Sequence, residues 1–199
     1  MGVTRTGVLG GTFDPPHLAH LVLAAAAREA LGLDRVLFVP AGNPWRKADR
    51  EVTPAAVRLD LVRAAAEPFA WAEVSTVEVD RDGPSYAAET MEALAVAGGE
   101  WWFILGSDAL ADLPHWHEPR RLLAAARLAV AVRPPPTLRI AEATLAALPG
   151  VEARVDAVPM PALDVSSTDL RARIRDGRTT EVLIPEAVRA RIDAHGLYR

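Results

Sequence analysis

The sequence contains no cysteine. This absence excludes disulfide bonds, thiol catalysis and cysteine-based metal sites, and it is typical of a reducing compartment, so we expect a cytoplasmic protein. Long hydrophobic runs are also missing, because arginine, aspartate or proline interrupts each apolar stretch. We therefore expect no transmembrane helix, no membrane partner and no signal peptide before the first strand.

Basic residues are fewer than acidic residues, at 22 against 26, and the net charge is −4. A nucleic-acid-binding protein normally carries a strongly basic face, so we expect no nucleic-acid partner. The 199 residues are 50% hydrophobic. This length and composition predict one domain, 1–199, with enough apolar surface for a core.

Lysine and side-chain amides are almost absent. Lys47 is the only lysine, Asn43 is the only asparagine, and glutamine does not occur. Both residues lie in one short segment, PAGNPWRK at 40–47, just after a predicted strand. A lysine is a compact charge on a flexible stem and suits phosphate binding. We interpret Lys47 as functional, although an ordinary solvated side chain is the alternative.

The most informative segment that is present reads GGTFDPPHLAH at 10–20. It predicts a strand, a tight glycine turn and a helix whose amino end faces a bound phosphate. His17 and His20 are three residues apart and so share one helix face, from which both can donate to one anion. The alternatives are two exposed histidines or a zinc pair, and zinc lacks further ligands at suitable spacing.

Predicted strands alternate with predicted helices along the chain, which indicates an α/β fold built on a doubly wound parallel sheet. Ligands bind such sheets at the carboxyl ends of the strands, here between strands one and four. The residues after about 166 predict a small C-terminal helical subdomain, 166–199. After the first strand at Val8 and Leu9, the predicted strands are 36–39, 72–79, 101–105, 128–132 and 151–158, and the predicted helices are 21–31, 53–66, 85–96, 118–126 and 137–148.

The fourth predicted strand ends at Gly106, which is followed by Asp108. A carboxylate in this position can accept hydrogen bonds from a ribose, although a helix N-cap is an equally ordinary role for it. Trp116 lies between two histidines, His115 and His117, and is either a core aromatic or a stacking surface for a planar ring.

A third polar cluster, SSTDLR at 166–171, begins another predicted helix. Ser166, Ser167 and Thr168 are ordinary N-cap residues, and an exposed Arg171 would need no special explanation. As the last of three polar helix starts, the segment is interpreted instead as a phosphate cradle, with the Arg171 guanidinium on phosphate oxygens.

These three segments, with SYAAET at 85–90, resemble the motifs of the bacterial nicotinate-nucleotide adenylyltransferase family of nucleotidyltransferases. The family pattern has glycine, threonine and aspartate where this chain has Ala19, Ala87 and Glu89. Phosphopantetheine adenylyltransferases share the two-histidine motif but are shorter and lack the elements PxxxPxxK and LPxW that occur here. They are the alternative enzyme class, and a nucleotide-binding regulatory module without turnover is the alternative outside enzymes.

The resemblance implies a Rossmann-like nucleotidyltransferase fold and transfer of the adenylyl group of ATP to nicotinate mononucleotide, with Mg²⁺ bound mainly by the ATP phosphates. It leaves a homo-oligomer open. It further implies three sets of site residues. The catalytic set is His17, His20, Lys47 and Arg171. The ATP-binding set is Gly10, Gly11, Thr12, Phe13, His17, His20, Gly106, Asp108, Ser166, Ser167, Thr168 and Arg171. The mononucleotide-binding set is Asn43, Trp45, Lys47, Ala87, Trp116 and His117.

Overall fold

A computed structural model describes residues 2–45, 51–132 and 137–199. Strands and helices alternate through the chain, as predicted. The strands are β1 (Arg5–Gly11), β2 (Arg35–Pro40), β3 (Ala72–Val74), β4 (Glu100–Gly106), β5 (Arg127–Val132) and β6 (Val155–Pro159). The helices are α1 (Leu18–Leu31), α2 (Ala55–Ala66), α3 (Ala87–Ala95), α4 (Ser107–Asp112), α5 (Pro119–Ala125), α6 (Glu142–Ala147), α7 (Ser167–Arg175) and α8 (Glu186–Ala194).

The strands form one sheet in the order β3-β2-β1-β4-β5-β6. The pairs β1–β4, β4–β5 and β5–β6 run parallel. The strand order reverses between β1 and β4, which is the defining feature of a doubly wound sheet. The predicted fold class and the predicted position of the reversal are therefore confirmed.

Two predicted strands are too long. The prediction 72–79 ends early, at Val74, because the Thr76 hydroxyl donates to the Asp80 carboxylate at 2.5 Å and the Asp80 N–H donates to the Thr76 carbonyl at 2.8 Å. This local turn competes with the strand for the same backbone groups. The prediction 151–158 begins too early, because Gly150 with φ 85° leads into a 3₁₀ turn over Val151–Arg154. The predicted helix 137–148 is also shorter, at Glu142–Ala147.

The chain forms two compact units. Unit 1 comprises Met1–Gly10, Leu23–Leu37 and Tyr86–Ala162, and unit 2 comprises Gly11–Val22, Phe38–Ser85 and Leu163–Arg199. Helices α7 and α8 belong to unit 2, and the predicted division into one domain with a C-terminal subdomain stays a prediction. None of the helices in the described ranges combines the length and hydrophobicity needed to span a bilayer.

Unit 1 is built on β4 and β5, whose interior residues are buried in continuous runs, as expected for parallel strands covered on both faces. One polar cluster lies at the amino ends of these strands. Asp156 accepts two bonds from Arg127, at 2.7 and 2.8 Å, and one from the Trp102 indole at 2.8 Å. The bonds from Arg127 and Trp102 hold the pKa of Asp156 below its ordinary value.

Unit 2 encloses a charged side chain. Arg58 of α2 is only 1% exposed. Its guanidinium donates to three carbonyls from three different loops, those of Thr53 at 2.7 Å, Thr12 at 2.8 Å and Gly42 at 3.2 Å. Burial lowers the pKa of Arg58, and the nearby Asp14 carboxylate opposes that shift. An arginine remains protonated in proteins, so this cation is balanced by Asp14 and by carbonyl dipoles.

The residue type at position 42 is restricted to glycine by close contact with the backbone of Glu78. A Cβ on this residue would lie 1.9 Å from the Glu78 carbonyl oxygen, so no larger residue fits there without moving the backbone. The loop after β2 is thus held close to the 75–79 turn, and Arg58 of α2 also donates to the Gly42 carbonyl.

We expect Arg58→Lys to lower the free energy of unfolding by about 2–4 kcal/mol, because an ammonium cannot reach three divergent carbonyls and charge-assisted bonds contribute about 1.5–3 kcal/mol each. Arg63→Lys on the exposed side of the same helix is the matched control and should be neutral. Denaturant unfolding of both variants measures the difference. Equal stabilities would show that the three-way contact contributes little.

Candidate active site

The loop after β1 turns at a phenylalanine. Phe13 has φ 50°, in the left-handed region, whereas Gly10 and Gly11 do not have positive φ. A Cβ on Gly11 would lie 3.0 Å from the Phe13 ring, and one on Gly10 would lie 3.2 Å from the Phe103 ring. The glycines therefore make room for aromatic rings, and the expectation that they supply the sharp turn is wrong. The turn is set by Phe13, whose ring is 2% exposed.

The two histidines lie together, as their spacing predicted. Their rings stack with centroids 3.7 Å apart and an interplanar angle of 27°. The Phe13 ring meets the His20 ring edge to face, with centroids 4.9 Å apart. The His17 backbone N–H donates to Nδ1 of His20 at 3.2 Å. Since Nδ1 accepts, a neutral His20 carries its proton on Nε2 and presents a donor there.

His17 is the buried member of the pair, at 5% exposure. Desolvation lowers the pKa of His17 to about 4, so its ring is neutral near pH 7. Its Nδ1 is buried and has no hydrogen-bond partner within the described ranges. A buried polar atom without a partner is rare in native structures, and a water molecule or a bound group would supply the missing bond.

Fewer backbone donors are available at the start of α1 than we expected. The His17 N–H is used by His20, and the Leu18 N–H donates to the Leu183 carbonyl at 2.9 Å. These two N–H groups are therefore not free for an anion, and the expectation that the amino end of this helix faces a bound phosphate stays a prediction.

The third polar segment adjoins the first. Ser167 Oγ donates to the Pro15 carbonyl at 2.9 Å, and Arg171 Nη1 donates to the Asp14 carbonyl at 2.7 Å. Ser166 is the N-cap of α7, since its side chain accepts from the Asp169 N–H at 3.1 Å. Arg171 Nη2 also lies 3.5 Å from Thr168 Oγ1. Unit 2 thus brings the α7 start to the loop that carries the histidines.

Asp14 is a residue whose role the sequence did not reveal. Its carboxylate is buried and accepts from the Tyr198 hydroxyl at 2.7 Å and from the Thr53 N–H at 3.4 Å. Burial, followed by the bond to Asp14, raises the pKa of Tyr198, so its hydroxyl remains a donor at neutral pH. Asp14 and Tyr198 are 184 residues apart, and no local pattern links them. The buried Arg58 was missed for the same reason.

Unit 1 contains the second predicted segment. Gly106 ends β4 and is the N-cap of α4, with open space where a Cβ would project. Asp108 lies in the first turn, is exposed, and makes no side-chain cap bond, so its alternative role as the N-cap is wrong. Its carboxylate is therefore accessible at the carboxyl end of β4, next to the carboxyl end of β1 in the sheet.

Trp116 is half-buried rather than part of the core. Its indole N–H donates to Asp112 at 3.2 Å, and its ring meets the Phe103 ring edge to face at 5.9 Å. The neighbouring His117 stacks on Tyr86 with centroids 3.9 Å apart. Ala87 is the first residue of α3, so its N–H has no acceptor within the helix.

The segment after β2 is described only in part. Asn43 and Ser85 exchange two bonds: the Asn43 N–H donates to Ser85 Oγ at 3.2 Å, and the Ser85 N–H donates to the Asn43 carbonyl at 2.9 Å. Trp45 is 37% exposed. Lys47 lies outside the described residues.

Within the described ranges, no group of three or more His, Cys, Asp or Glu side chains could hold a metal ion. Asp14, the buried carboxylate next to the histidines, has each oxygen engaged by a protein donor. These residues do not form a protein-built divalent cation site, which requires several free oxygen ligands.

Comparison with known proteins first defines the class. A cytidylyltransferase-like family model matches residues 8–173, a span that includes the starts of α1, α4 and α7. Probable nicotinate-nucleotide adenylyltransferases from Roseiflexus sp. (strain RS-1) and Thermomicrobium roseum are 45% and 40% identical to this chain. The alignments cover 100% and 99% of this chain and 100% and 92% of the two relatives. The chain belongs to the nicotinate-nucleotide adenylyltransferase family.

Solved structures agree on the fold. One of them is Plasmodium falciparum nicotinic acid mononucleotide adenylyltransferase complexed with NaAD, which superposes on this chain with a TM-score of 0.75 at 18% sequence identity. The superposition covers 98% of this chain and 97% of the Plasmodium chain. The same enzyme complexed with APC gives a TM-score of 0.73. At this identity the similarity establishes the shared architecture.

The neutral state of His17 should make stability depend on pH. Below pH 6.5 the unfolded chain protonates this ring, whereas the folded chain does so only near pH 4, so stability rises with pH between these values. The shift corresponds to about 3 kcal/mol. We expect His17→Asn to flatten this part of the profile. His115→Asn, at a 76% exposed side chain, is the control. Denaturant unfolding at a series of pH values gives the slopes, and identical slopes for wild type and His17→Asn would contradict the buried neutral ring.

Proposed function

We propose that this protein transfers the adenylyl group of ATP to nicotinate mononucleotide, producing nicotinate adenine dinucleotide and pyrophosphate. The observation that carries the proposal is the stacked imidazole pair at the start of α1, in which the buried Nδ1 of His17 has no partner. Membership of the adenylyltransferase family supports the choice of reaction.

His17 and His20 are assigned to the phosphates of ATP, with His20 nearest the α-phosphoryl group. His20 would donate from Nε2, because its Nδ1 already accepts from the backbone. His17 would donate from Nδ1 and so satisfy an atom that otherwise lacks a bond. Two imidazole donors fixed by stacking would stabilise the charge that develops on the α-phosphate without having to reorganise during the reaction.

The start of α7 and Arg171 are assigned to the β- and γ-phosphates, with Lys47. Arg171 uses Nη1 and Nη2 for the Asp14 carbonyl and the Thr168 hydroxyl, and a guanidinium has five N–H donors, so donors remain for phosphate oxygens. Gly10, Gly11, Thr12 and Phe13 would supply the backbone of the loop beneath the phosphates. Thr12 is held there by the Arg58 bond to its carbonyl.

Other residues are assigned to the nucleoside parts of the two substrates. The exposed Asp108 carboxylate would accept from the ribose hydroxyls of the adenylyl group. Trp116 would stack on the nicotinate ring, with His117 beside it. The Ala87 N–H, which has no helical acceptor, would donate to the nicotinate carboxylate. Asn43 and Trp45 complete the assigned mononucleotide contacts.

The chemistry needs positioning and charge stabilisation more than proton transfer. The 5′-phosphate of a mononucleotide is largely dianionic at neutral pH, since its second pKa is about 6, so no general base is required. One of its oxygens forms a bond to the α-phosphorus in line as the bond to the bridging oxygen breaks, and that electron pair leaves with pyrophosphate. Mg²⁺ would accompany ATP on its phosphate oxygens and neutralise part of their charge.

The partners proposed are therefore ATP and nicotinate mononucleotide, and the compartment proposed is the cytoplasm, where the absence of cysteine is ordinary. The test is pyrophosphate release from ATP and Mg²⁺ with nicotinate mononucleotide, nicotinamide mononucleotide or phosphopantetheine as acceptor. Turnover with the nicotinate form, and slower turnover with the amide, is the expected result. Preference for phosphopantetheine, or no turnover with any acceptor, would overturn the proposal.

Loss of the His20 imidazole should affect rate more than binding. We expect His20→Ala to lower kcat by about 100- to 1000-fold, the range for removing one transition-state donor, while KM for ATP changes little. His195→Ala, at an exposed histidine that follows α8, is the control and should keep normal turnover. Near-normal turnover of His20→Ala would remove this residue from the mechanism.

Loss of the Trp116 ring should weaken the acceptor selectively. We expect Trp116→Ala to reduce nicotinate mononucleotide affinity by about 1–3 kcal/mol, the range for base–aromatic stacking, and to leave ATP binding nearly unchanged. Trp71→Ala, at another half-buried tryptophan, controls for lost packing. Steady-state kinetics and melting temperatures of both variants give the answer. A large melting drop with an unchanged mononucleotide KM would mean that Trp116 has only a packing role.

A further inference from the structure

The C-terminal end of the chain reaches the loop that carries the histidines. Tyr198, the penultimate residue, donates its hydroxyl to Asp14 Oδ1 at 2.7 Å. Asp14 is adjacent to Phe13 and three residues before His17. The contact therefore joins the segment after α8 to the centre of the loop between β1 and α1.

Other contacts also attach helix α8, which precedes Tyr198, to unit 2. Helix α8 packs against α2 through its buried residues Val188 and Ile192, and Arg191 forms an ion pair with Asp60 at 3.2 Å. These contacts attach the C-terminal helix to α2. The chain nevertheless continues beyond α8, and Tyr198 there has φ 63°. This left-handed conformation is energetically unfavourable for a residue other than glycine. Such a conformation persists where surrounding contacts enforce it.

Asp14 transmits the contact to the imidazole pair. Its other carboxylate oxygen accepts from the Thr53 N–H, and its carbonyl accepts from Arg171. With these three bonds in place, the neighbouring Phe13 is held at φ 50° with its ring against His20. A displaced Asp14 would release Phe13 and, through it, the ring of His20.

We propose that Tyr198 is a positioning residue for adenylyl transfer, which fixes the His17–His20 pair by holding Asp14 through its hydroxyl. The inference rests on the proposed function for the reaction that it serves, and on the hydrogen bonds of unit 2 for the geometry. Tyr198 touches neither substrate in this scheme, and its effect is on the alignment of the donors.

Tyr198→Phe removes only the hydroxyl and keeps the ring. We expect kcat to fall by about 10-fold, because a small displacement of a catalytic group lowers the reaction rate strongly. The KM for each substrate should stay within about twofold of the wild-type value. The matched control is Ile192→Val, which removes one buried methylene from α8 and should lower the melting temperature without lowering kcat. If the loss of kcat is proportional to the fall in melting temperature in both variants, Tyr198 only stabilises the fold and the proposal is overturned.

A second measurement does not depend on turnover. The ¹⁵N-histidine NMR signals of His17 and His20 report their tautomers and their order. We expect these signals to shift or broaden in Tyr198→Phe and to be unchanged in Ile192→Val. Unchanged signals in Tyr198→Phe would overturn the positioning role. If the variant is destabilised, its spectra are recorded at a low temperature at which it is folded, and the same criterion applies.

A double-mutant comparison tests the route through Asp14. If Tyr198 acts through Asp14, the kcat losses of Tyr198→Phe and Asp14→Asn combine to less than their product. Independent effects would contradict that route. If wild type shows no pyrophosphate release, the proposed function fails while the NMR result still decides the positioning role. If wild type is active and Tyr198→Phe equals it, only the positioning role fails.

Discussion

The structure of unit 2 depends on one buried cation. The Arg58 guanidinium binds carbonyls from the loop after β1, the loop after β2 and the approach to α2, so three loops share one rigid donor. Buried charge of this kind is tolerated only with full hydrogen bonding and an opposite charge nearby, which Asp14 provides. The loop with the histidines is thus ordered from beneath by contacts that involve no substrate. A site that handles a triphosphate gains from such preorganisation, because its donors need no rearrangement when charge develops.

The sequence predicted the features that depend on local pattern. Apolar runs and polar helix starts identified the alternating elements, and the strand reversal between β1 and β4 followed from the fold class. Spacing along one helix placed His17 beside His20. Failures came where a contact joins distant residues or where local bonds compete. The Tyr198–Asp14 bond spans 184 positions, and the glycines at 10 and 11 serve ring packing that a turn pattern does not reveal. The 75–79 segment turns because local bonds occupy backbone groups that a strand would use: the Asp80 N–H donates to the Thr76 carbonyl, and the Val77 N–H donates to Ser75 Oγ.

Two departures from the family pattern, Ala87 and Glu89, lie in the first turn of α3. Ala87 lacks the hydroxyl that the family has at this position, but as the first residue of α3 it keeps an N–H without a helical acceptor. Glu89 keeps an acidic side chain in the first turn of α3, where a negative charge stabilises a helix. Both substitutions retain the electrostatic character of the segment while changing its side chains.

The stacked histidines have an implication for how the site responds to salt. Without a bound anion the His17 ring is neutral near pH 7, so it attracts an approaching anion as a short-range dipole and not as a full charge. Ionic screening, which acts over about 10 Å at 0.1 M salt, weakens attraction between full charges far more than it weakens such a contact. With the roles proposed above, long-range attraction of a charged nucleotide would come from cationic groups such as Arg171, and the part played by His17 in that attraction would depend little on ionic strength. Long-range attraction and short-range alignment of the nucleotide would then depend on different side chains.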